Sequence, residues 1–165
     1  MINLKTLIDI IYQDEQILIV NKPSGLLSIP DRYDQSKENL FQLLKLQYDP
    51  LFIVHRLDRE TSGLICFGRN AESHKELSMS FESREVVKTY LAIAESTPPE
   101  NEGLINAAIA HSAGCDGRMV NHPKGKPSVT KYRLLKAWKQ FCLLELKPQT
   151  GRTHQIRVHL AYMGC

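Results

Sequence analysis

Metal-binding patterns are scarce in this chain of 165 residues. Its four cysteines are widely separated and form no Cys-x-x-Cys pair, so no zinc site is predicted and reduced thiols in a cytoplasmic location are expected. His154 and His159 are five positions apart, a spacing at which helical side chains do not face each other. The sequence therefore predicts no metal.

Membrane and nucleotide signals are also missing. No apolar run approaches the length of a membrane span, and the first residues contain no signal-peptide core. Neither G-x-G-x-x-G nor a P-loop is present, so no nucleotide cofactor is indicated. With 42% hydrophobic and 24% charged residues, the composition is that of an ordinary globular protein, and the length predicts one domain with its own core. A net charge of +3 is compatible with an RNA partner without identifying one.

The stretch richest in chemistry is residues 55–63, His-Arg-Leu-Asp-Arg-Glu-Thr-Ser-Gly. Apolar runs at 51–54 and 64–67 flank it and have the length and composition of buried strands. A charged loop between two buried strands places reactive groups on a rigid frame. On these residues alone, a solvated hairpin turn is the alternative interpretation.

Hydrophobic periodicity outlines the remaining elements. Alternation at 86–95 places Lys88 and Tyr90 on one strand face with two alanines, which leaves room for a flat ligand beside the tyrosine. A tyrosine packed in a sheet fits the same pattern. The other predicted elements are strands at 17–20, 104–110, 129–137 and 141–147, ordered loops at 21–30 and 111–128, and helices capped by Ser36, Asn70 and Thr153.

Five motifs are spread over nearly the whole chain. They are Tyr-Gln-Asp-x-x-Ile-x-x-Val-Asn-Lys-Pro-Ser-Gly-Leu-Leu-Ser at 12–28, His-Arg-Leu-Asp-x-x-Thr-Ser-Gly at 55–63, Lys-x-Tyr-Leu-Ala at 88–92, Gly-Lys-Pro-Ser-x-Thr-x-Tyr at 125–132 and Thr-Gly-Arg-Thr-His-Gln-Ile-Arg-Val-His-Leu at 150–160. In sequence and in order, these motifs resemble those of the RluA family of RNA pseudouridine synthases. The chain is most similar to the short members of that family, which have no S4-type RNA-binding domain.

The resemblance implies isomerisation of uridine to pseudouridine in a structured RNA, without a cofactor. It implies that Asp58 is the nucleophile, that Tyr90 stacks on the target uracil, and that Arg157 pairs with the catalytic carboxylate. Arg56 is a candidate to fill the space left by the flipped base. The RNA-binding residues expected from the motifs are Lys22, His55, Arg56, Lys88, Arg152 and His154. The expected targets are the anticodon stem-loop of certain tRNAs and an rRNA hairpin.

The resemblance also implies an α+β fold, in which flanking helices cover a bent, mainly antiparallel mixed sheet with a central cleft. Residues 1–165 would form one catalytic domain, and a monomer is expected. Relatives continue beyond the position of Cys165, so the domain is expected to be incomplete at its C-terminus. The alternative function is an RNA-binding domain that lacks catalysis through this truncation. Phosphatases that use an Asp-x-Asp nucleophile, and glycosidases that would pair Asp58 with Glu60, fit the spacing poorly.

Overall fold

The computed structural model describes residues 8–114 and 117–165. The chain divides into two compact units, Met1–Glu85 and Val86–Cys165. Every strand pair in the described ranges is antiparallel, and helices accompany the strands in both units. This combination confirms the predicted α+β class. No helix in these ranges has both the length and the apolar character needed to cross a membrane.

A four-stranded sheet forms the first unit. Its strands are β1 (Asp9–Gln13), β2 (Ile17–Lys22), β3 (Phe52–Ile53) and β4 (Gly63–Gly68), in the spatial order β1-β2-β4-β3. Alternate residues of β2 are buried, as a half-buried strand requires. The register pairs Lys22 with Gly63, so the end of β2 lies beside the start of β4. The loops at these two strand ends are therefore brought together.

Two helices, α1 (Leu40–Lys45) and α2 (Ala71–Glu82), accompany this sheet. Asn70 caps α2 as predicted. The prediction that Ser36 caps α1 is wrong, because the backbone amide and the hydroxyl of Ser36 both donate to the carboxylate of Asp34. Asn39 caps α1 instead, accepting a hydrogen bond from the backbone amide of Gln42 at 3.0 Å.

The second unit contains a four-stranded sheet and a two-stranded sheet. β5 (Tyr90–Ala94), β6 (Glu102–Asn106), β9 (Val129–Ala137) and β10 (Cys142–Pro148) form the larger sheet, in the order β5-β10-β9-β6. β7 (Ile109–His111) and β8 (Met119–Asn121) form the smaller sheet. The single strand predicted at 104–110 is thus divided between β6 and β7. β8 lies within the segment that was predicted to be a loop.

One face of the larger sheet packs against α3 (Gln155–Tyr162) and forms the buried core of the second unit. The prediction that Thr153 caps α3 is wrong. The cap position is His154, which has a left-handed φ of 55° and makes no side-chain capping bond. The core consists of Ala94, Ile105, Ala107, Tyr132, Cys142, Leu144, Leu146 and Leu160.

Candidate active site

Asp58 lies in the loop that joins β3 to β4, which we call the Asp58 loop and define as residues 54–62. Exposure alternates along it: the side chain of Arg56 is exposed, Leu57 is buried and Asp58 is half-buried. The backbone amide of Thr61 donates to the carbonyl of Asp58 at 3.1 Å and closes a turn. Leu57 therefore fixes the loop in the core, while its two neighbours remain exposed or half-exposed.

Ser28 holds the loop on the N-terminal side of Asp58. Its hydroxyl accepts a hydrogen bond from the backbone amide of Leu57 at 3.1 Å. The same hydroxyl donates to the carbonyl of Leu57 at 2.7 Å. Ser28 and Leu57 are both buried, so no water competes for these two hydrogen bonds.

Residues 22–25 hold the loop on the C-terminal side of Asp58. The carbonyl of Arg59 accepts hydrogen bonds from the backbone amide of Gly25 at 2.9 Å and from Nζ of Lys22 at 3.0 Å. In return, Nε of Arg59 donates to the carbonyl of Gly25 at 3.0 Å. Gly25 has a φ of 85°, a conformation that favours glycine. Asp58 thus lies between two segments of backbone that are both fixed to residues 22–28.

The burial of Lys22 corrects one expectation. Its side chain is 0% exposed, and Nζ also donates to the carbonyls of Pro23 and Leu26, each at 2.8 Å. Burial lowers the pKa of Lys22, and the carboxylates of Glu60 and Asp58 oppose that shift. An ammonium group has three protons to donate, and three carbonyls accept them. Lys22 therefore binds the protein's own backbone, where an RNA phosphate was expected.

His55 supports the start of the Asp58 loop. Its Nε2 accepts a hydrogen bond from the backbone amide of Cys66 on β4 at 3.0 Å. Its ring also stacks on Phe81 of α2, with 4.4 Å between the ring centroids. These contacts give His55 a structural role, and its contact with RNA stays a prediction.

Tyr90 begins β5 in the second unit, opposite Leu146 of β10. It is half-buried and packs against the core of this unit together with Ala92. Ala94, on the same face of the strand, belongs to that core, and a space for a flat ligand beside Tyr90 stays a prediction. Lys88 is half-buried just before the strand.

The other predicted residues of the second unit lie at the start of α3. Arg157 is exposed on the helix, while Arg152 and His154 are half-buried before it. Nε of Arg152 is buried and has no hydrogen-bond partner among the residues that the structure describes. This donor is suited to an anionic group.

A buried polar network, absent from the sequence predictions, holds this end of α3. Oε1 of Gln155 accepts from the hydroxyl of Thr150 at 2.7 Å and from the backbone amide of Arg152 at 3.0 Å. Its Nε2 donates to the carbonyl of Val129 and the hydroxyl of Thr130, both at 3.0 Å. All polar groups of this glutamine side chain are therefore paired. Gln155 shares the buried face of α3 with Val158 and His159, and a polar residue at this spacing was the signal that could have indicated its structural role.

The predicted residues thus fall into two groups. The first unit contains Lys22, His55, Arg56 and Asp58. There, Nζ of Lys22 donates to the carbonyl of Arg59, the residue after Asp58. Lys88, Tyr90, Arg152, His154 and Arg157 belong to the second. Within the described ranges, no three His, Cys, Asp or Glu side chains converge as metal ligands.

Most of the chain matches one known protein family. The sequence pattern of the family described as RNA pseudouridylate synthase matches residues 16–162, which include both groups of predicted residues. The chain belongs to the RNA pseudouridylate synthase family. It is accordingly an isomerase that converts uridine to pseudouridine in RNA.

Relatives within the family are similar over most of the chain. It is 39% identical to the dual-specificity RNA pseudouridine synthase RluA of Salmonella typhi and 38% identical to that of Escherichia coli K12. Each comparison covers 94% of this chain and 72% of the relative. The fold resembles that of human RNA pseudouridylate synthase domain containing 1, with a TM-score of 0.79 and 30% identity. That match covers 95% of this chain and 65% of the human chain, so this chain spans about two thirds of the length of the human protein.

Proposed function

We propose that this pseudouridine synthase uses Asp58 as its nucleophile. The observation that carries the proposal is the support of the Asp58 loop on both sides, by Ser28 at Leu57 and by Lys22 and Gly25 at Arg59. A catalytic group acts efficiently when its surroundings hold it in the productive geometry. The half-buried carboxylate of Asp58 has such surroundings on a buried frame.

The chemistry suits a carboxylate. The reaction breaks the bond between the ribose and N1 of uracil, turns the base, joins the ribose to C5 and moves one proton from C5 to N1. It involves no net redox change and no phosphoryl transfer, so it requires no nicotinamide or nucleotide cofactor. A carboxylate serves as the nucleophile in many enzymes that form covalent intermediates. Asp58 would form and then release such an intermediate.

Other residues are assigned by the resemblance. Tyr90 would stack on the uracil taken out of the RNA helix, and Arg157 would pair with the catalytic carboxylate and favour its ionised form. Arg56 would fill the place of the flipped base, and its exposure in the Asp58 loop supports that role. The phosphate and base contacts would come from His55, Lys88, Arg152 and His154.

The proposed substrates are hairpins: the anticodon stem-loop of certain tRNAs and a hairpin of large-subunit rRNA. Two kinds of target agree with the description of the RluA relatives as dual-specificity enzymes. Loops of this kind present unstacked bases that a protein can read. The protein would act as a monomer in the cytoplasm, and its affinity for RNA would fall as the salt concentration rises.

The test is pseudouridine formation in tRNA and rRNA hairpin transcripts that carry labelled uridine. Asp58→Asn removes the nucleophile with almost no change in shape, and we expect it to abolish conversion while RNA binding persists. Asp9→Asn is the matched control, because Asp9 is exposed on β1 of the same unit. Conversion by Asp58→Asn at the parent rate would refute the mechanism. RNA binding without conversion by the parent would favour a binding domain.

A further inference from the structure

The hydroxyl of Ser28 contacts both peptide groups of Leu57. The amide of Leu57 belongs to the peptide unit shared with Arg56, and its carbonyl belongs to the unit shared with Asp58. Ser28 accepts from the first at 3.1 Å and donates to the second at 2.7 Å. Because a peptide unit is planar, fixing the carbonyl of Leu57 also fixes the plane that contains the Cα atom of Asp58.

Water cannot substitute for this hydroxyl. Ser28 is 3% exposed and Leu57 is 7% exposed, so removal of the hydroxyl leaves a buried amide and a buried carbonyl without their partner. The peptide unit before Asp58 would then be free to rotate toward other partners. Such a rotation changes the direction of the Asp58 side chain.

We propose that Ser28 is a positioning residue for Asp58. Its hydroxyl fixes the peptide unit before the nucleophile and so directs the carboxylate, without touching RNA itself. The inference rests on the proposed function, in which Asp58 is the nucleophile. It assigns to Ser28 a part in catalysis that is separate from substrate binding.

Ser73 provides a matched control in the same unit. It is also 3% exposed, and its hydroxyl also contacts both polar groups of one backbone residue. It accepts from the amide of Asn70 at 3.3 Å and donates to the carbonyl of Asn70 at 3.1 Å, at the start of α2. Ser73→Ala therefore removes the same kind of interaction as Ser28→Ala, away from the Asp58 loop.

The experiment compares the parent, Ser28→Ala, Ser28→Thr and Ser73→Ala. For each protein, we would measure the rate of conversion at saturating RNA, the Kd for RNA, the thermal midpoint and the exchange of backbone amides. We expect Ser28→Ala to lower the saturated rate by about tenfold or more, because small displacements of a catalytic group are costly. Its Kd for RNA should change by less than about twofold, since the buried hydroxyl makes no contact with the bound RNA.

The control variants separate positioning from stability. Ser73→Ala should lower the thermal midpoint as Ser28→Ala does, yet keep the parent rate. Ser28→Thr, which retains a hydroxyl, should recover most of the rate. Equal saturated rates for the two alanine variants, or a Ser28→Ala defect confined to Kd, would overturn the inference.

Amide exchange distinguishes failure of the inference from failure of the proposed function. Ser28→Ala should speed exchange at Leu57, and Ser73→Ala should not. If the parent converted no uridine, the proposed function would fail and the inference about catalysis would fail with it. If the parent were active and exchange at Leu57 were unchanged in Ser28→Ala, only the inference would be overturned.

Discussion

Nζ of Lys22 donates a hydrogen bond to the carbonyl of Arg59 at 3.0 Å, across 37 positions of the sequence. Lys22 ends β2, and Arg59 directly follows the proposed nucleophile. The same amine donates to the carbonyls of Pro23 and Leu26. One buried cation thus joins the first motif of the chain to the Asp58 loop, and it satisfies three carbonyls.

Lys22→Met should destabilise the first unit. Methionine fills much of the buried space of the lysine stem but leaves three carbonyls without their donor, so we expect the free energy of unfolding to fall by about 3 kcal/mol. A urea titration that follows the amide NMR signals of β2 and β4 would measure the change. Lys75→Met, at an exposed position of α2, should change it by less than about 0.5 kcal/mol. Equal effects of the two substitutions would contradict a structural role for the buried amine.

The strands and α2 were predictable because their signals are local. Apolar runs located β2 and β4, and Asn70 caps α2 where the sequence placed it. The caps of α1 and α3 were not predictable in this way. At α1, the carboxylate of Asp34 competes for Ser36. At α3, His154 in a left-handed conformation occupies the cap position, so Thr153 lies one residue too early to cap the helix.

The site was predictable in its motif but not in its supports. The residues around Asp58 identify the family, whereas Ser28 and Leu57 are 29 positions apart in the sequence. The register of β2 against β4 brings their two segments together. A lysine in a motif of an RNA enzyme also suggests a phosphate contact. Its burial, which depends on the packed loop, gives Lys22 a different role.

Gly125 should not tolerate a side chain. A Cβ atom at this position would lie 2.5 Å from the carbonyl carbon of Ile109, which is backbone and cannot rotate away. Gly125→Ala should therefore lower the free energy of unfolding by about 2 to 3 kcal/mol. Gly151→Ala is the matched control, because no atom lies within 4 Å of a Cβ there. Denaturant titrations followed by the fluorescence of Trp138 would report on this unit, and equal stability of the two variants would disprove the predicted clash.

His159 should make the second unit less stable in mild acid. Its ring is fully buried, with Nδ1 2.9 Å from the hydroxyl of Thr130 and Nε2 3.0 Å from the carbonyl of Ala107. The carbonyl must accept, so Nε2 carries the proton and Nδ1 accepts from the hydroxyl of Thr130. Burial lowers the pKa of His159 below its usual 6.5, and the bond to Ala107 partly opposes that shift.

The folded state therefore favours the neutral ring of His159, and the unfolded state binds a proton more readily. Its contribution to stability is complete above about pH 6.5 and is lost as the pH falls below that value. Denaturant titrations followed by Trp138 between pH 7.5 and 5.5 would measure the loss. His159→Gln should show a flatter dependence on pH over this range, whatever its absolute stability. Parallel curves for the parent and His159→Gln would show that another group causes the acid sensitivity.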